Sequence, residues 1–562
     1  MSETALQKAI DFIENQKQFH LGFLPTEQSN PLTANLDKEF ASSTVAGVAN
    51  LQSVDRNVAE MAKKIFVSPE FAKLVDDGEK VIRNGGKIVF SGCGATGRLS
   101  ILLESMWRSC CAAEKESAPY ADQVFSIMTG GDYALVRSVE SFEDYQQFGR
   151  RQAQELAINA NDMLVAITEG GETSSVLGSL FEAVERDAKA FLLFNNPAQL
   201  LADNLERSRR AICDPRVCVL DLYCGPMALA GSTRMQATTS EQLVAGGALE
   251  MIMARLTGRS TVDYADAFEK LLDKLEAPSA RNAIAEYIDF EVELYRKKGL
   301  VTYFANDYML DIFTDTTERS PTFMLPPFRK KDDSVSPRPW AFVKNPLCST
   351  AGSWQKSMHR PLRCLEWTKE DYIQMDAPAK VCDDPPQISS AELLKFETGM
   401  ESIDDRTVTG NDAAVLITVG SAQSDDRIFP AFAEAAEKFN SVKHLALTDN
   451  ADADFVIPCE QPASQLNVMR HMAVKLVLNT ISTGVMAVLG RVSGNWMSWV
   501  NVSNKKLMDR GIRLIADLGK TDYRTACIKI FEAVEKLDNE WDLAEEKPSA
   551  VQYVLKELQA GK

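Results

Sequence analysis

The sequence predicts an α/β protein of two similar lobes, each built on a parallel β-sheet covered by helices. Two observations lead to this prediction. Short apolar runs typical of buried strands alternate with stretches of helical periodicity. A series of strands followed by a long helix occurs twice, at a period of about half the chain. Because 562 residues exceed what one compact core holds, the two series are expected to form separate lobes.

The first series begins after the helical stretch 38–84, which ends at the helix-stop signal Asn84-Gly85-Gly86. Each apolar run that follows is separated from the next by enough chain for a helix, so the strands are expected to run parallel. Long helices are expected over 232–297. The predicted strands are 87–91, 123–128, 163–168, 190–194 and 217–222.

The second series is less regular than the first. Its predicted strands are 300–304, 413–418, 443–447 and 454–457. The long Pro-containing stretch 321–390 is expected to be mostly loop and edge structure, and 466–515 is expected to return to helix.

Composition and charge exclude several classes of function. With 61 Lys and Arg against 79 Asp and Glu, the net charge is −18, which disfavours nucleic acid or an anionic membrane as a partner. The chain has no run of 18 or more uncharged apolar residues, and its N-terminus MSETALQKAIDFIENQ is charged where a signal peptide would need an apolar stretch, so we expect a cytoplasmic protein. The 11 cysteines and 4 histidines lack metal-ligand spacing. No metal and no cofactor are therefore predicted.

The sharpest local motif is SGCGATGRLS at 91–100, between a predicted strand and a predicted helix. Such a turn presents backbone N–H groups and a positive helix end to an anion, so Gly94, Ala95 and Thr96 are predicted to bind phosphate. The motif also matches GxGxxG, but no acidic residue ends the next strand to hold a ribose, and a P-loop would need GK[ST]. A glycine-rich turn without a ligand is the remaining alternative.

A second turn of similar chemistry, TEGGETSS at 168–175, follows the third predicted strand. Both turns lie at carboxyl ends of parallel strands, the edge where open α/β sheets bind ligands. We therefore expect Thr168, Gly170, Thr173 and Ser174 to share one small ligand with the first turn. The commoner alternative is a Ser/Thr-rich helix cap without a ligand.

Several long motifs together resemble the N-acetylmuramic acid 6-phosphate etherase family. They are LPTEQSNPLTANLD (24–37), SGCGATGRLS (91–100), SIMTGGDYALVRSVESFED (126–144) and GPMALAGSTRMQATT (225–239). The segment 475–510 is similar to the C-terminal part of the same family, displaced by an inserted second domain, which is the arrangement of the glucokinase regulatory protein. The resemblance implies tandem sugar isomerase (SIS) domains of flavodoxin-like topology. Each would be a three-layer αβα domain with a parallel five-stranded sheet, and the two would form a pseudo-dimer.

This resemblance implies a division of the chain into four parts. They are an N-terminal helical segment 1–60, a first SIS domain 61–260, a second SIS domain 261–515 with the insertion 321–390, and a C-terminal helical tail 516–562.

The resemblance also implies which residues would act in the site. Two glutamates handle protons in the etherases, and the motif SVESFED points to Glu140 for one of them. The first lobe has Met106 at the position of the other, whereas TDTTERSPTF in the second lobe places Glu318 there. Lys475 likewise matches a family lysine that the first lobe replaces with Gln242. The sequence thus predicts one composite site, drawn from both lobes.

Three classes of function are compatible with such a site. The first is a phosphosugar-binding regulator or binding protein of amino-sugar or hexose phosphate metabolism. The second is a metal-free etherase that cleaves the lactyl ether of N-acetylmuramic acid 6-phosphate, with Glu140 and Glu318 as its catalytic residues. The third, a phosphosugar isomerase, is the least favoured. A glucokinase partner is not implied, because only about 50 residues follow the motif NVSNKKLMDR, too few for the large helical lid of the regulatory protein.

Overall fold

Two five-stranded parallel sheets form the framework of the protein. The computed structural model describes residues 3–139 and 142–560. The strands of the first sheet are Ile88–Gly92 (β1), Val124–Met128 (β2), Met163–Ile167 (β3), Lys189–Phe194 (β4) and Val217–Asp221 (β5). Those of the second sheet are Val301–Phe304 (β6), Ala341–Lys344 (β7), Ala413–Val419 (β8), Ser441–Leu447 (β9) and Phe455–Ile457 (β10).

The two sheets have the same topology. The first is ordered β2-β1-β3-β4-β5 and the second β7-β6-β8-β9-β10, and all neighbouring strands run parallel. This is the flavodoxin-like order, in which the connections reverse direction between the first and third strands of each sheet. The predicted duplication of a parallel α/β lobe is therefore confirmed.

Helices cover the sheets and fill the connections between strands. In the first half they are Glu3–Asn15 (α1), Leu36–Ser42 (α2), Thr44–Gln52 (α3), Asp55–Ile65 (α4), Pro69–Arg83 (α5), Ala95–Ala113 (α6), Gln146–Glu155 (α7), Ser174–Glu185 (α8), Ala198–Asn204 (α9), Glu206–Ile212 (α10), Gln236–Thr257 (α11), Tyr264–Glu276 (α12) and Pro278–Arg296 (α13). In the second half they are Met309–Phe323 (α14), Thr350–Met358 (α15), Lys369–Gln374 (α16), Ala379–Asp383 (α17), Ser390–Leu393 (α18), Ile428–Ala435 (α19), Val468–Val488 (α20), Lys505–Gly519 (α21), Tyr523–Glu540 (α22) and Ala550–Ala560 (α23).

Alternate residues of each strand enter cores on opposite faces of the sheet, as the period of two in a strand requires. In β1, Ile88 and Phe90 belong to the large central core, whereas Val89 belongs to a separate core on the outer face. In β6, Tyr303 faces the central core and Phe304 the outer one. Each lobe is therefore a sheet between two helical layers.

The lobes meet through equivalent helices, as in a pseudo-dimer. The helix after the last strand of the first sheet, α11, packs against its counterpart α20, and α6 packs against α14. The segment 468–488 is apolar and long enough to span a membrane, but 89% of its most apolar window is buried among other helices. Its apolar character is accounted for by the shared core of the two lobes.

The inserted stretch 321–390 forms an arm that docks on the first lobe. It contains the edge strand β7 and helices that the sequence pattern left unassigned. Arg360 forms a bidentate ion pair with Asp132 (2.6 and 2.8 Å) and also contacts Glu104 (3.1 Å), and Arg363 pairs with Glu104. Glu104, Asp132 and Arg360 are buried. The arm therefore gives the buried Asp132 its ion-pair partner and adds to the pair that Glu104 already forms with Arg108 of α6 (2.8 Å).

The segment 466–515, which follows the second sheet, departs from the sequence prediction in one respect. Helix was predicted throughout 466–515, but 489–504 is irregular between α20 and α21. Helix α20 ends before Gly490, which has a φ of +76°, a conformation that terminates helices. The predicted boundary between 515 and 516 falls inside α21. The four-part division of the chain stays a prediction.

Candidate functional site

The candidate site begins at the carboxyl edge of the first sheet, where the strand order reverses between β1 and β3. The chain leaves β1 at Gly92 and enters α6 at Ala95. Gly94 has a φ of +56°, in the region that favours glycine. A Cβ on Gly92 would lie 2.4 Å from the backbone of Thr96, so this position also requires glycine. The tight turn places the positive end of the α6 dipole at the edge of the sheet.

Thr96 holds this turn in shape. Its hydroxyl donates to the carbonyl oxygen of Cys93 (2.9 Å) and accepts from the Cys93 N–H (3.0 Å). The side chain is only 1% exposed. The geometry therefore gives Thr96 a role in the conformation of the turn rather than a place in the wall of the site.

The second turn follows β3 and precedes α8. The Thr168 hydroxyl donates to the hydroxyl oxygen of Thr173 (2.9 Å), so the Thr173 hydroxyl remains able to donate its own proton. A Cβ on Gly170 would lie 1.9 Å from a carboxylate oxygen of Glu172. Gly170 thus makes room for that carboxylate, and Thr168 orients Thr173.

Lys506 at the start of α21 reaches across to this second turn. Its Nζ lies 2.9 Å from Oε1 of Glu172. Burial raises the pKa of Glu172, but Lys506 and Arg207 overcome that effect and hold the pKa below its ordinary value. Asn504 caps the same helix by accepting from the Leu507 N–H (2.8 Å). The C-terminal part of the chain therefore supplies a cation to the first lobe.

Glu318 comes to the site from the second lobe. It lies on α14 and forms an ion pair with Arg98 on α6. Arg98 is itself fixed by donating to the carbonyl oxygens of Leu135 (2.9 Å) and Ala134 (3.3 Å). The packing of α6 against α14 thus brings one carboxylate of the second lobe next to the glycine-rich turn of the first.

One cavity of about 480 Å³ opens where these elements meet, a size suited to a small ligand. Its wall includes the first turn, the segment 231–234, part of α14 and the start of α21. Of the predicted site residues, the cavity is lined by Gly94, Ala95, Thr173 and Glu318. Those outside its wall are Thr96, Thr168, Gly170, Ser174 and Lys475.

Lys475 lies behind the wall and supports it. Its Nζ donates to the carbonyl oxygens of Arg234 (2.8 Å) and Met235 (3.3 Å) and to the Thr239 hydroxyl (2.8 Å). Burial lowers the pKa of Lys475 to about 7, against the opposing attraction of Asp55. Its observed contacts hold the segment before α11, which carries Arg234 into the cavity wall.

Glu140 lies outside the described residues, so its predicted role stays a prediction. Its neighbours Val139 and Glu143 both line the cavity. Among residues 3–139 and 142–560, no group of three His, Cys, Asp or Glu side chains is arranged to hold a metal ion.

Glu169 was not among the predicted binding residues, yet it lines the cavity while only 8% exposed. Burial raises its pKa to about 7, although Lys506 opposes this shift. One carboxylate oxygen accepts from the Thr238 hydroxyl at 3.3 Å. The site therefore contains a carboxyl group that changes charge near neutral pH.

Sequence reasoning also missed Lys506 and Asn504. The signal was present in the motif NVSNKKLMDR, where an asparagine precedes lysines at a helix start. The missing information was spatial, because Lys506 meets Glu172 across more than 300 residues of chain.

Comparison with known proteins matches part of the first lobe to a family model. Residues 70–184 fit the model of the glucokinase regulatory protein N-terminal SIS domain. Among solved structures, the C-terminal domain of glucosamine-fructose-6-phosphate aminotransferase from Francisella tularensis aligns with a TM-score of 0.43 at 12% identity. That alignment covers 80% of this chain and 97% of the other.

Two bacterial proteins are similar over longer stretches of sequence. N-acetylmuramic acid 6-phosphate etherase of Yersinia pestis (strain Pestoides F) is 30% identical over 286 residues, covering 49% of this chain and 89% of that protein. N-acetylmuramic acid 6-phosphate etherase 1 of Bacillus licheniformis is 29% identical over 225 residues, covering 40% of this chain and 67% of that protein.

Proposed function

The chain belongs to the N-acetylmuramic acid 6-phosphate etherase family, and from this premise we propose that it binds a phosphosugar in the cavity between its lobes. The observation that supports the proposal is the convergence of Gly94, Thr173 and Glu318 on one cavity of about 480 Å³. In the proposed complex the turn at Gly94 and the positive end of α6 bind the phosphate. Thr173 donates to it as well, and Glu318 accepts sugar hydroxyls.

The proposal also accounts for an anion site in an acidic protein. The net charge of −18 repels a phosphate at long range, so the binding energy has to come from local donors. Backbone N–H groups, the Thr173 hydroxyl and Lys506 supply such donors in the first lobe and the C-terminal segment. Glu318 stands on the second lobe, where it would face the sugar.

We propose a regulatory or binding role for this site, in the cytoplasm. Arg98 ties Glu318 into an ion pair, which suits a carboxylate that positions hydroxyls. All eleven cysteines are free thiols, which suits a reducing compartment.

Binding to variants tests the composite site. Hexose 6-phosphates and N-acetylhexosamine 6-phosphates are titrated calorimetrically against Glu318→Gln and Thr173→Val, with the corresponding unphosphorylated sugars as controls. We expect Glu318→Gln to weaken binding about tenfold to a hundredfold, since hydrogen bonds to charged groups contribute about 1.5–3 kcal/mol. Glu293→Gln, an exposed carboxylate on α13, should bind as the wild type does. Equal affinity for phosphorylated and free sugars would overturn the proposal.

An etherase activity is the second candidate function. It is favoured by the position of Glu318 in a motif similar to that of the etherases and by Glu169, a cavity carboxyl group with a pKa of about 7. A group that titrates near neutral pH is suited to proton transfer.

Lactate release from N-acetylmuramic acid 6-phosphate separates the two functions. If the protein is an etherase, lactate appears, and Glu318→Gln lowers its rate by about a hundredfold to ten-thousandfold. If the protein is a binding protein, the same preparation gives calorimetric binding of a phosphosugar without lactate. We expect the second result.

A further inference from the structure

The largely buried cations of the cavity wall already have carboxylate partners within the protein. Arg98 pairs with Glu318, Arg234 with Asp315 (2.9 Å), Lys506 with Glu172 (2.9 Å) and Arg510 with Glu27 (2.6 Å). Each of these four cations is therefore neutralised by a carboxylate of the protein itself. A carboxylate of the wall outside these pairs needs its counter-charge from elsewhere.

Glu169 is such a carboxylate. Within residues 3–139 and 142–560 it forms no ion pair, and its carboxylate accepts one long hydrogen bond, from Thr238. It is more than nine-tenths buried and lines the cavity. An ionised carboxylate in this position is costly unless a cation approaches it from the cavity.

The protein interior behind Glu169 offers no cation either. Glu241 on α11 is fully buried, and neither of its carboxylate oxygens has a hydrogen-bond partner within the described part of the chain. Burial and Glu169 together hold the pKa of Glu241 far above its ordinary value. Lys475 is directed instead to Arg234, Met235 and Thr239.

We propose that Glu169 makes the cavity selective for phosphosugars that carry a free amino group, by forming an ion pair between its carboxylate and the ligand ammonium. The inference rests on the proposed phosphosugar-binding function and names the class of sugar. An ammonium supplies both the missing charge and hydrogen-bond donors. An acetamido group at the same position supplies one donor and no charge, and a hydroxyl group also brings no charge.

The charge of Glu169 in the empty site is set by groups on several elements. Lys506 favours the carboxylate, whereas Glu172, Glu318 and Glu241 disfavour it. With its pKa near 7, Glu169 is partly protonated at neutral pH and becomes fully ionised when an ammonium binds. Binding of an amino sugar is therefore expected to release a proton from this residue.

Three ligands that differ only at C2 test the inference: glucosamine 6-phosphate, N-acetylglucosamine 6-phosphate and glucose 6-phosphate. Calorimetry at pH 7.5 should show glucosamine 6-phosphate binding about tenfold or more tightly than the other two. In Glu169→Gln, which keeps the shape of the side chain, this preference should fall below about threefold. Titration at pH 6.5, where the sugar amine is already an ammonium, in two buffers of different ionisation enthalpy should show more proton release in the wild type than in the variant.

A matched control is Glu182→Gln, a buried carboxylate on α8 that pairs with Arg150 and Arg186 away from the cavity. It should keep the full preference for the amino sugar. Equal or tighter binding of either other ligand by the wild type overturns the inference, as does an unchanged preference in Glu169→Gln. If none of the three binds while another phosphosugar does, the inference fails alone. If no phosphosugar binds at all, the proposed function fails with it.

Discussion

Glu27→Gln is expected to lower the free energy of unfolding by about 3–5 kcal/mol at pH 7, the cost of breaking a buried ion pair. Glu27 accepts two bonds from Arg510 (2.6 and 2.9 Å) and one from Arg513 (3.0 Å). Glutamine keeps the shape but leaves Arg510 buried without its counter-charge. Since both arginines lie on α21, the substitution should also remove the ion pairs that fix the N-terminal segment to the helix that carries Lys506.

The effect of this substitution should depend on pH in a defined window. Burial raises the pKa of Glu27, but Arg510 and Arg513 outweigh it and lower the pKa to about 2, from an ordinary value of 4.5. A carboxyl group with a lowered folded-state pKa stabilises the protein fully above 4.5, and this stabilisation is lost as the pH falls towards 2.

Chemical unfolding monitored by circular dichroism between pH 7 and pH 3.5 measures the difference. The difference in the free energy of unfolding between wild type and Glu27→Gln should be constant above about pH 5 and should decrease below pH 4.5. The exposed Glu293→Gln should stay within about 0.5 kcal/mol of the wild type throughout. A gap that does not change with pH would show that the ion pairs of Glu27 are not its source.

Lys506→Met is expected to weaken phosphosugar binding about a hundredfold, or about 2.7 kcal/mol. Lys506 lines the cavity beside the second turn, and charge-assisted bonds to a phosphate are among the stronger hydrogen bonds. The single substitution also removes the ion-pair partner of Glu172 and leaves only Arg207 nearby, so the Glu172 carboxylate would repel the phosphate more strongly.

The double variant Lys506→Met/Glu172→Gln separates these two effects. It removes the ion pair as a whole, so any remaining loss of affinity reports contact between Lys506 and the ligand. Calorimetric titration should still show at least a tenfold loss in the double variant. The neighbouring Lys505→Met, on the exposed side of α21, should bind normally. Recovery of wild-type affinity in the double variant would mean that Lys506 serves only to neutralise Glu172.

The strands of the first lobe were predictable because buried parallel strands are continuous apolar runs. The runs at Ile88–Gly92 and Met163–Ile167 are fully buried, and the turns that follow carry glycines that the backbone requires. The edge strand Ala341–Lys344 escaped assignment because it has only four residues between proline-rich segments. Its pairing with β6 is a tertiary property.

The site was predictable to the extent that its residues stand in local motifs. Gly94 and Thr173 lie in the turns after β1 and β3, and the resemblance to a family pointed to Glu318; all three line the cavity. Neither route could show that Thr96 faces inward to its own turn or that Lys475 supports the wall from behind. Those outcomes depend on which atoms lie opposite each side chain after the two lobes pack.

The arm that neutralises Asp132 has a consequence for the order of folding during synthesis. Asp132 and its partner Arg360 are 228 residues apart in the chain. At about 5–20 residues per second, roughly ten to forty-five seconds separate their emergence from the ribosome. Until the arm arrives, the nascent first lobe holds the Asp132 carboxylate at a buried position without its ion-pair partner. We therefore expect the first lobe to stay open or bound to a chaperone on the ribosome, and the protein to reach its final fold only late in translation.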